Sequence, residues 1–222
     1  MEIGVKTYLF QRKMLGILCG LLPLTCLLFG FMGAENNLPG WYKSISATYY
    51  ASSKICMIGL LFSASIFFLC YKGYDWRDRT LSLIQAISSM GVIVFPCDTP
   101  MAPTSVGLFN LPIATSNIIH CASAAILFIA FGINIFFLFT IGNSNSPEKK
   151  KRNFIYHVCG GIIFAFCILQ AISTTPLFEW VPDWFPLTWL NEFFMLEAFA
   201  VAWLVKAESI SSLNDKHPQT GI

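Results

Sequence analysis

The chain alternates long apolar stretches with short polar segments, and this pattern predicts six membrane-spanning helices. The stretches cover about residues 14–34, 54–71, 80–95, 113–141, 154–175 and 187–205. A straight span needs roughly 20 residues, so the third stretch is short and the fourth is long enough to tilt. The expected fold is therefore an all-α polytopic membrane bundle of six transmembrane helices.

The positive charges predict an orientation for these spans. Of the 14 Lys and Arg residues, only Lys43 and Lys54 fall in segments that alternate counting places outside. Lys and Arg are enriched in cytoplasmic loops, so the pattern predicts that both the N-terminus and the C-terminus are cytoplasmic. Residues 1–208 are expected to form the transmembrane domain, and residues 209–222 a short cytoplasmic tail.

The composition is typical of a membrane protein. The chain is 55% hydrophobic and 12% charged, whereas soluble domains are about 25% charged. Its net charge of +2 comes from residues that flank the spans, so no nucleic-acid partner is predicted. The expected location is the cell membrane, which is the inner membrane if the source is bacterial, and membrane lipids are the expected partners.

The first apolar stretch has the basic start of a signal peptide. Its apolar core is nearer twenty residues than the roughly 7–15 of a cleaved signal, so an uncleaved anchor is expected. Cleavage would leave five spans in the same orientation.

The eight cysteines predict no metal site. Most lie inside predicted spans, where a free thiol behaves as a small hydrophobe. Cys56, Cys97 and Cys121 lie toward the outer face, where a Cys56–Cys97 disulfide is one option. Neither a Cys-x-x-Cys nor a His-x-x-x-His spacing occurs, so no metal and no cofactor are predicted.

Polar side chains at membrane depth are the candidate functional residues, because each is unfavourable in lipid unless it has a partner or a purpose. Asp98 stands at the outer mouth of the third span. His120 lies roughly 11 Å into the fourth span at 1.5 Å per residue. Glu192 lies at a similar depth in the sixth span, Glu197 lies near the middle of that span, and Gln170 lies in the outer half of the fifth.

Helical spacing refines this set. Ser116 and Asn117 precede His120 by one turn and flank its face of the helix. Glu192 and Glu197 are about 140° apart around their helix, so only one of them is expected to face a shared pocket. The sequence leaves open which one.

These residues predict an outward-facing polar pocket with two alternative functions. In the first, the pocket binds or helps to move a lipid or small amphiphile, held by Ser116, Asn117, His120, Gln170, Glu192 and Glu197. In the second, the protein is an intramembrane hydrolase or transferase acting on a lipid headgroup, with His120 as acid/base and Asp98 or Glu192 assisting. The lack of a clear nucleophile favours the first, and whether the protein is an enzyme stays open. A purely structural alternative is hydrogen bonding between helices.

Several short motifs resemble those of one bacterial family. They are Ser44-Ile-Ser46 before Tyr49-Tyr50, Tyr71-Lys-Gly-Tyr74, Phe95-Pro96, Ile119-His120 and Lys151-Arg-Asn153. The family comprises small six-span membrane proteins and is the domain-of-unknown-function family numbered 998. The resemblance covers most of the chain and implies a helical membrane protein without an assigned activity.

A remoter resemblance is to the alkaline ceramidase-like membrane hydrolases, which use a Ser, an Asp and three His around zinc. Here His120, His157 and His217 lie at different depths, so a zinc hydrolase is not expected. A further motif, Gly16-x-x-x-Gly20, permits close helix contact either within one bundle or in an oligomer.

Overall fold

The fold is taken from a computed structural model, which describes residues 2–100, 102–142 and 146–215. Its long helices are α1 Glu2–Met32, α2 Lys54–Cys70, α3 Trp76–Val94, α4 Ile113–Ile133, α5 Pro147–Ser173 and α6 Leu187–Lys206. The shorter elements are the 3-10 turns Ala34–Asn36, Ser46–Tyr50, Pro176–Phe178 and Ser211–Leu213, a π turn Asn134–Leu138, and the strand pair β1 Ser105–Val106 and β2 Leu111–Pro112. The predicted all-α class is confirmed.

Four of these helices, among the residues described, are long and apolar enough to cross a membrane. They are Val5–Met32, Ile113–Leu138, Pro147–Ser173 and Leu187–Lys206. The helix α2 is apolar but has only 17 residues, and α3 begins with the charged run Arg77–Arg79. That all six helices cross, and in which direction, stays a prediction.

The six helices form a closed ring in chain order. Each helix packs against its sequence neighbours, and α6 closes the ring by packing against α1. The first part of α1 and the end of α2 lie at the same end of the ring, because Arg12 Nε donates to the hydroxyl of Tyr71, which follows α2, at 3.2 Å. The end of α6 lies there too. The hydrogen bond from Arg12 Nη1 to the Lys206 carbonyl, 3.1 Å long, ties it to α1.

We call this the basic end, because it carries Arg12, Lys149 and Lys206 together with the α2–α3 connection. The opposite end, called the loop end, carries the connections 33–53, 95–112 and 174–186. All sequence-predicted site residues except Glu197 lie toward the loop end.

Aromatic side chains fill the centre of the ring. Phe68 of α2, Phe131 of α4 and Phe199 of α6 meet with ring centroids 4.0 to 5.9 Å apart. Trp203 packs one turn nearer the basic end, with its centroid 5.5 Å from that of Phe199. All four side chains are buried. Alternate helices therefore hold the ring together through one shared aromatic core.

Gly16 and Gly20 bring α1 close to α6. A Cβ on Gly16 would lie 2.9 Å from Leu204 Cγ, and one on Gly20 would lie 3.0 Å from Ala200 Cβ. The small-residue pair thus serves packing within this chain. Oligomerisation stays a prediction that this pair no longer supports.

The cysteines form no disulfide. All eight lie in the described ranges and all are free thiols. The Cys56–Cys97 option is therefore not realised, and Cys97 is instead buried at the end of α3.

Candidate functional site

A cavity of about 380 Å³ lies between α4, α5 and α6 near the loop end. We call it the loop-end cavity. Pockets that hold small molecules have volumes of roughly 300–1,000 Å³, so this one is at the small end of that range. Its polar lining comes from Ser44, Ser46, His120, Gln170, Thr188 and Glu192. Its apolar lining includes Ala124, Ala125, Phe128, Ile129, Cys167, Ala171 and Met195.

The cavity opens sideways, between α4 and α5. Cys121, Ala125 and Ile129 line it from α4, and all three are also exposed on the outer surface of the ring. Ala171 and Thr174 do the same from α5. In a membrane, this side of the ring faces lipid rather than water.

His120 has one ring nitrogen engaged and one free. Its Nδ1 lies 2.7 Å from the Phe95 carbonyl oxygen and 3.1 Å from that of Val92. Carbonyl oxygens only accept, so Nδ1 carries a proton and donates. These carbonyls end α3, where the last helical turn lacks partners of its own and Pro96 blocks its continuation. The Nε2 atom has no partner among the described residues, and His120 lines the cavity.

Ser116 and Asn117 hold the end of α3 instead of lining the cavity. Ser116 Oγ donates to the Pro96 carbonyl at 2.8 Å, and Asn117 Oδ1 accepts from the Asp98 N–H at 2.9 Å. Together with His120 Nδ1, they fasten α4 to the segment that follows α3. The positions of Ser116 and Asn117 therefore do not support the predicted contact with a ligand.

Glu192 lines the loop-end cavity and fixes the loop above it. Its Oε2 accepts from the Ile45 N–H at 2.6 Å. A second tie, from the Trp189 N–H to the Lys43 carbonyl at 2.9 Å, joins the same loop to α6. Glu192 thus holds Ser44 and Ser46 at the cavity wall while presenting its carboxylate there.

Gln170 joins α5 to α6 through two hydrogen bonds. Its Nε2 donates to Thr188 Oγ1 at 3.2 Å, and its Oε1 accepts from Asn191 Nδ2 at 2.8 Å. Thr188 and Asn191 were not among the residues predicted from the sequence. The available signal was spacing, since Thr188 precedes Glu192 by four residues and therefore shares its helix face.

Glu197 and Asp98 lie outside the cavity. Glu197 Oε2 would lie 3.8 Å from a Cβ on Gly20, so this side chain faces α1, and its Oε1 is buried without a hydrogen-bond partner. Of the two glutamates on α6, Glu192 is thus the one at the cavity. Asp98 is exposed, and only its backbone N–H takes part in the α3–α4 contact.

The side chains that the cavity brings together are hydrogen-bonding groups, not a metal set. Across the described ranges, no three His, Cys, Asp or Glu residues are grouped to hold a metal ion. His157 contacts Phe136, 4.7 Å between ring centroids, and His217 lies outside the described residues. The arrangement is suited to accepting and donating hydrogen bonds at one end of an apolar cavity.

The Cys97 thiol also lines the cavity, but it is not activated as a nucleophile. Burial, with a smaller contribution from the charge of Glu192, raises the pKa of Cys97 to about 12. The thiolate is the nucleophilic form, so this residue is a neutral thiol at physiological pH.

A scan against protein-family models, a search of curated proteins and a search of solved structures each found no match.

Proposed function

We propose that this is an integral membrane protein whose six helices all cross the bilayer, with the basic end in the cytoplasm. The apolar lengths of four helices support this. The ring supports it too, because α2 and α3 pack between α1 and α4, which are two of those four helices. The clustering of cations at the basic end supports the orientation.

The helix α2 offers a direct test of this topology, since it carries a cysteine near each end. Cys56 lies in its first turn and Cys70 is its last residue. With the other cysteines replaced by Ser, a membrane-impermeant maleimide is expected to label Cys56 in intact cells, and Cys70 only after permeabilisation. Labelling of Cys70 but not Cys56 in intact cells would show the opposite orientation. Labelling of both cysteines in intact cells would show that α2 does not cross the membrane.

We further propose that the loop-end cavity binds a lipid or small amphiphile. One observation carries this proposal: a single cavity combines hydrogen-bonding side chains at one end with an apolar wall that opens between two lipid-facing helices. A volume of about 380 Å³ suits a headgroup and the start of a chain. The remainder of the chain would leave between α4 and α5 into the bilayer.

The polar end favours a ligand that donates hydrogen bonds. With its proton on Nδ1, neutral His120 offers Nε2 as an acceptor. The Glu192 carboxylate is a second acceptor at the same cavity. Hydroxyl or ammonium groups on the headgroup would satisfy both.

Binding or transport is favoured over catalysis at this site. A base that activates a nucleophile is usually oriented by a third group and hydrogen-bonded to that nucleophile. His120 is oriented by backbone carbonyls, and its Nε2 has no hydroxyl or thiol partner within the described part of the chain. Action on a lipid headgroup, with His120 as acid/base, is the alternative.

We also propose membership of the six-span family numbered 998. Three of the motifs behind the resemblance lie around the cavity: Ser44-Ile-Ser46 forms its roof, Phe95-Pro96 ends α3, and His120 follows Ile119. Motifs that share one site support a common function better than scattered ones.

Cysteine alkylation tests whether the cavity is occupied. Cys121 lines the cavity at its opening, and Cys70 is equally an exposed thiol but lies at the basic end. In protein purified in mild detergent, N-ethylmaleimide is expected to modify Cys121 several-fold more slowly than after bound lipid is washed out. The rate at Cys70, the matched control, should not change. Equal Cys121 rates before and after washing would contradict an occupied cavity.

A further inference from the structure

A second cavity, of about 300 Å³, lies at the basic end, and we call it the basic-end cavity. Its wall includes Tyr74, Asp78, Gly142 and Lys206. It lies on the far side of the aromatic core from the loop-end cavity. The two cavities have no lining residue in common.

Lys206 reaches this cavity with little to balance its charge. Its Nζ donates one hydrogen bond, to the Phe139 carbonyl at 3.2 Å, although an ammonium group has three donors. The same Nζ lies 5.2 Å from the centroid of the Tyr74 ring and 5.7 Å from that of Tyr156. These ring faces are favourable for a cation but do not neutralise it.

Two more cations surround the same place. Arg12 is 3% exposed, donates from Nη1 to the Lys206 carbonyl, and leaves Nη2 buried without a hydrogen-bond partner. Lys149 is also buried, and its Nζ would lie 2.6 Å from a Cβ on Gly142, at the cavity wall.

None of these three cations is in an ion pair within the described ranges. The ion pairs found there are Arg77–Asp75 and Arg152–Asp215. Buried charges are unfavourable unless they are paired. A bound anion would supply what Arg12, Lys149 and Lys206 lack.

The cavity wall also carries two carboxylates, of which Asp75 is paired with Arg77 at 2.8 Å and Asp78 is in no ion pair within the described ranges. Asp78 is 5% exposed, and its Oδ2 accepts the Tyr74 N–H at 2.9 Å. The Lys206 ammonium and the Asp78 carboxylate therefore line the same cavity without forming an ion pair. This arrangement suits a ligand that carries both a negative and a positive charge.

We propose that the basic-end cavity binds a phosphoethanolamine-type group, with its phosphate at Lys206 and Lys149 and its ammonium at Asp78. Phosphate oxygens accept charge-assisted hydrogen bonds from lysine, and a primary ammonium donates them to a carboxylate. Arg12, behind Lys206, adds positive potential. The group is carried either by a phospholipid or by a free molecule, and the site's chemistry is the same for both.

Native mass spectrometry of the full chain in detergent tests this site. The probes are phosphatidylethanolamine, phosphatidylcholine and phosphatidylglycerol with identical chains. Wild type is expected to bind phosphatidylethanolamine most tightly. Lys206→Met, and separately Lys149→Met, should weaken that binding about tenfold, and Asp78→Asn should abolish the preference over phosphatidylglycerol. Lys72→Met, an exposed cation at the same end, is the matched control.

Asp78→Asn keeps the acceptor for the Tyr74 N–H, and the comparison of lipids on wild type does not depend on any variant folding. Equal binding of the three lipids by wild type, together with no binding of free phosphoethanolamine, would overturn the proposal. So would Lys206→Met binding like Lys72→Met, or Asp78→Asn keeping the wild-type preference. Displacement of the lipid by free phosphoethanolamine would identify a soluble ligand, and its failure would identify the lipid, with the site retained in both cases.

Discussion

His120→Asn is expected to leave the fold intact and to reduce retention of the bound amphiphile about tenfold or more. The Asn amide Nδ2 takes the place of the imidazole Nδ1, so it can still donate to the Phe95 and Val92 carbonyls. The substitution removes Nε2, the ring nitrogen that has no partner among the described residues of a side chain that lines the cavity. Leaving a buried donor of the ligand unpaired is unfavourable by about 1–3 kcal/mol, or roughly a factor of 5 to 150 in affinity.

His120→Gln is the matched opposite. Its amide reaches toward the position of Nε2 and loses the contacts made by Nδ1, so ligand is expected to be kept while thermal stability falls. Bound lipid per protein and the unfolding temperature are the two measurements. A His120→Asn protein that retains ligand like wild type would contradict the assigned role. A catalytic role would instead make both variants inactive, because neither amide titrates.

Trp203→Ala is expected to destabilise the bundle by about 3–5 kcal/mol, the range for removing a large buried aromatic side chain. Trp203 is 0% exposed, and its ring centroid lies 5.1 Å from those of both Tyr71 and Phe139. Its indole N–H has no hydrogen-bond partner, so packing alone accounts for the effect.

Trp180→Ala is the control for this substitution, since Trp180 is 77% exposed and stacks on Phe178. Its effect is expected to stay within about 0.5 kcal/mol. Unfolding of both variants in the same detergent gives the comparison. Similar losses for Trp203→Ala and Trp180→Ala would show that the aromatic centre does not hold the ring together.

Hydropathy predicted the positions of all six helices because apolar runs and helices coincide in a membrane bundle. It misplaced the start of the first helix, which begins at Glu2 rather than near residue 14. Polar residues such as Lys6 and Arg12 continue that helix, and hydropathy does not register them. The sixth helix, with apolar residues to its end, was predicted to within one residue.

The depth of the candidate site residues was predictable from the sequence, but the direction in which each side chain points was not. His120, Gln170 and Glu192 were expected at similar depths, and they line one cavity. Ser116 and Glu197 were expected to join them, but they face α3 and α1. Spacing along a helix gives the face a residue occupies, and only the packing of the ring decides which neighbour covers that face.

Native mass spectrometry of the wild-type protein in mild detergent, with His120→Asn beside it, tests the central claim most directly. The loop-end cavity predicts a non-detergent molecule, with a headgroup bearing hydroxyl or ammonium donors, that is bound to wild type and absent from the variant, whereas a ligand of the basic-end cavity is expected on both. Wild type and His120→Asn carrying the same mixture of bulk lipids would contradict it, and His120 would then serve only to fasten α4 to α3.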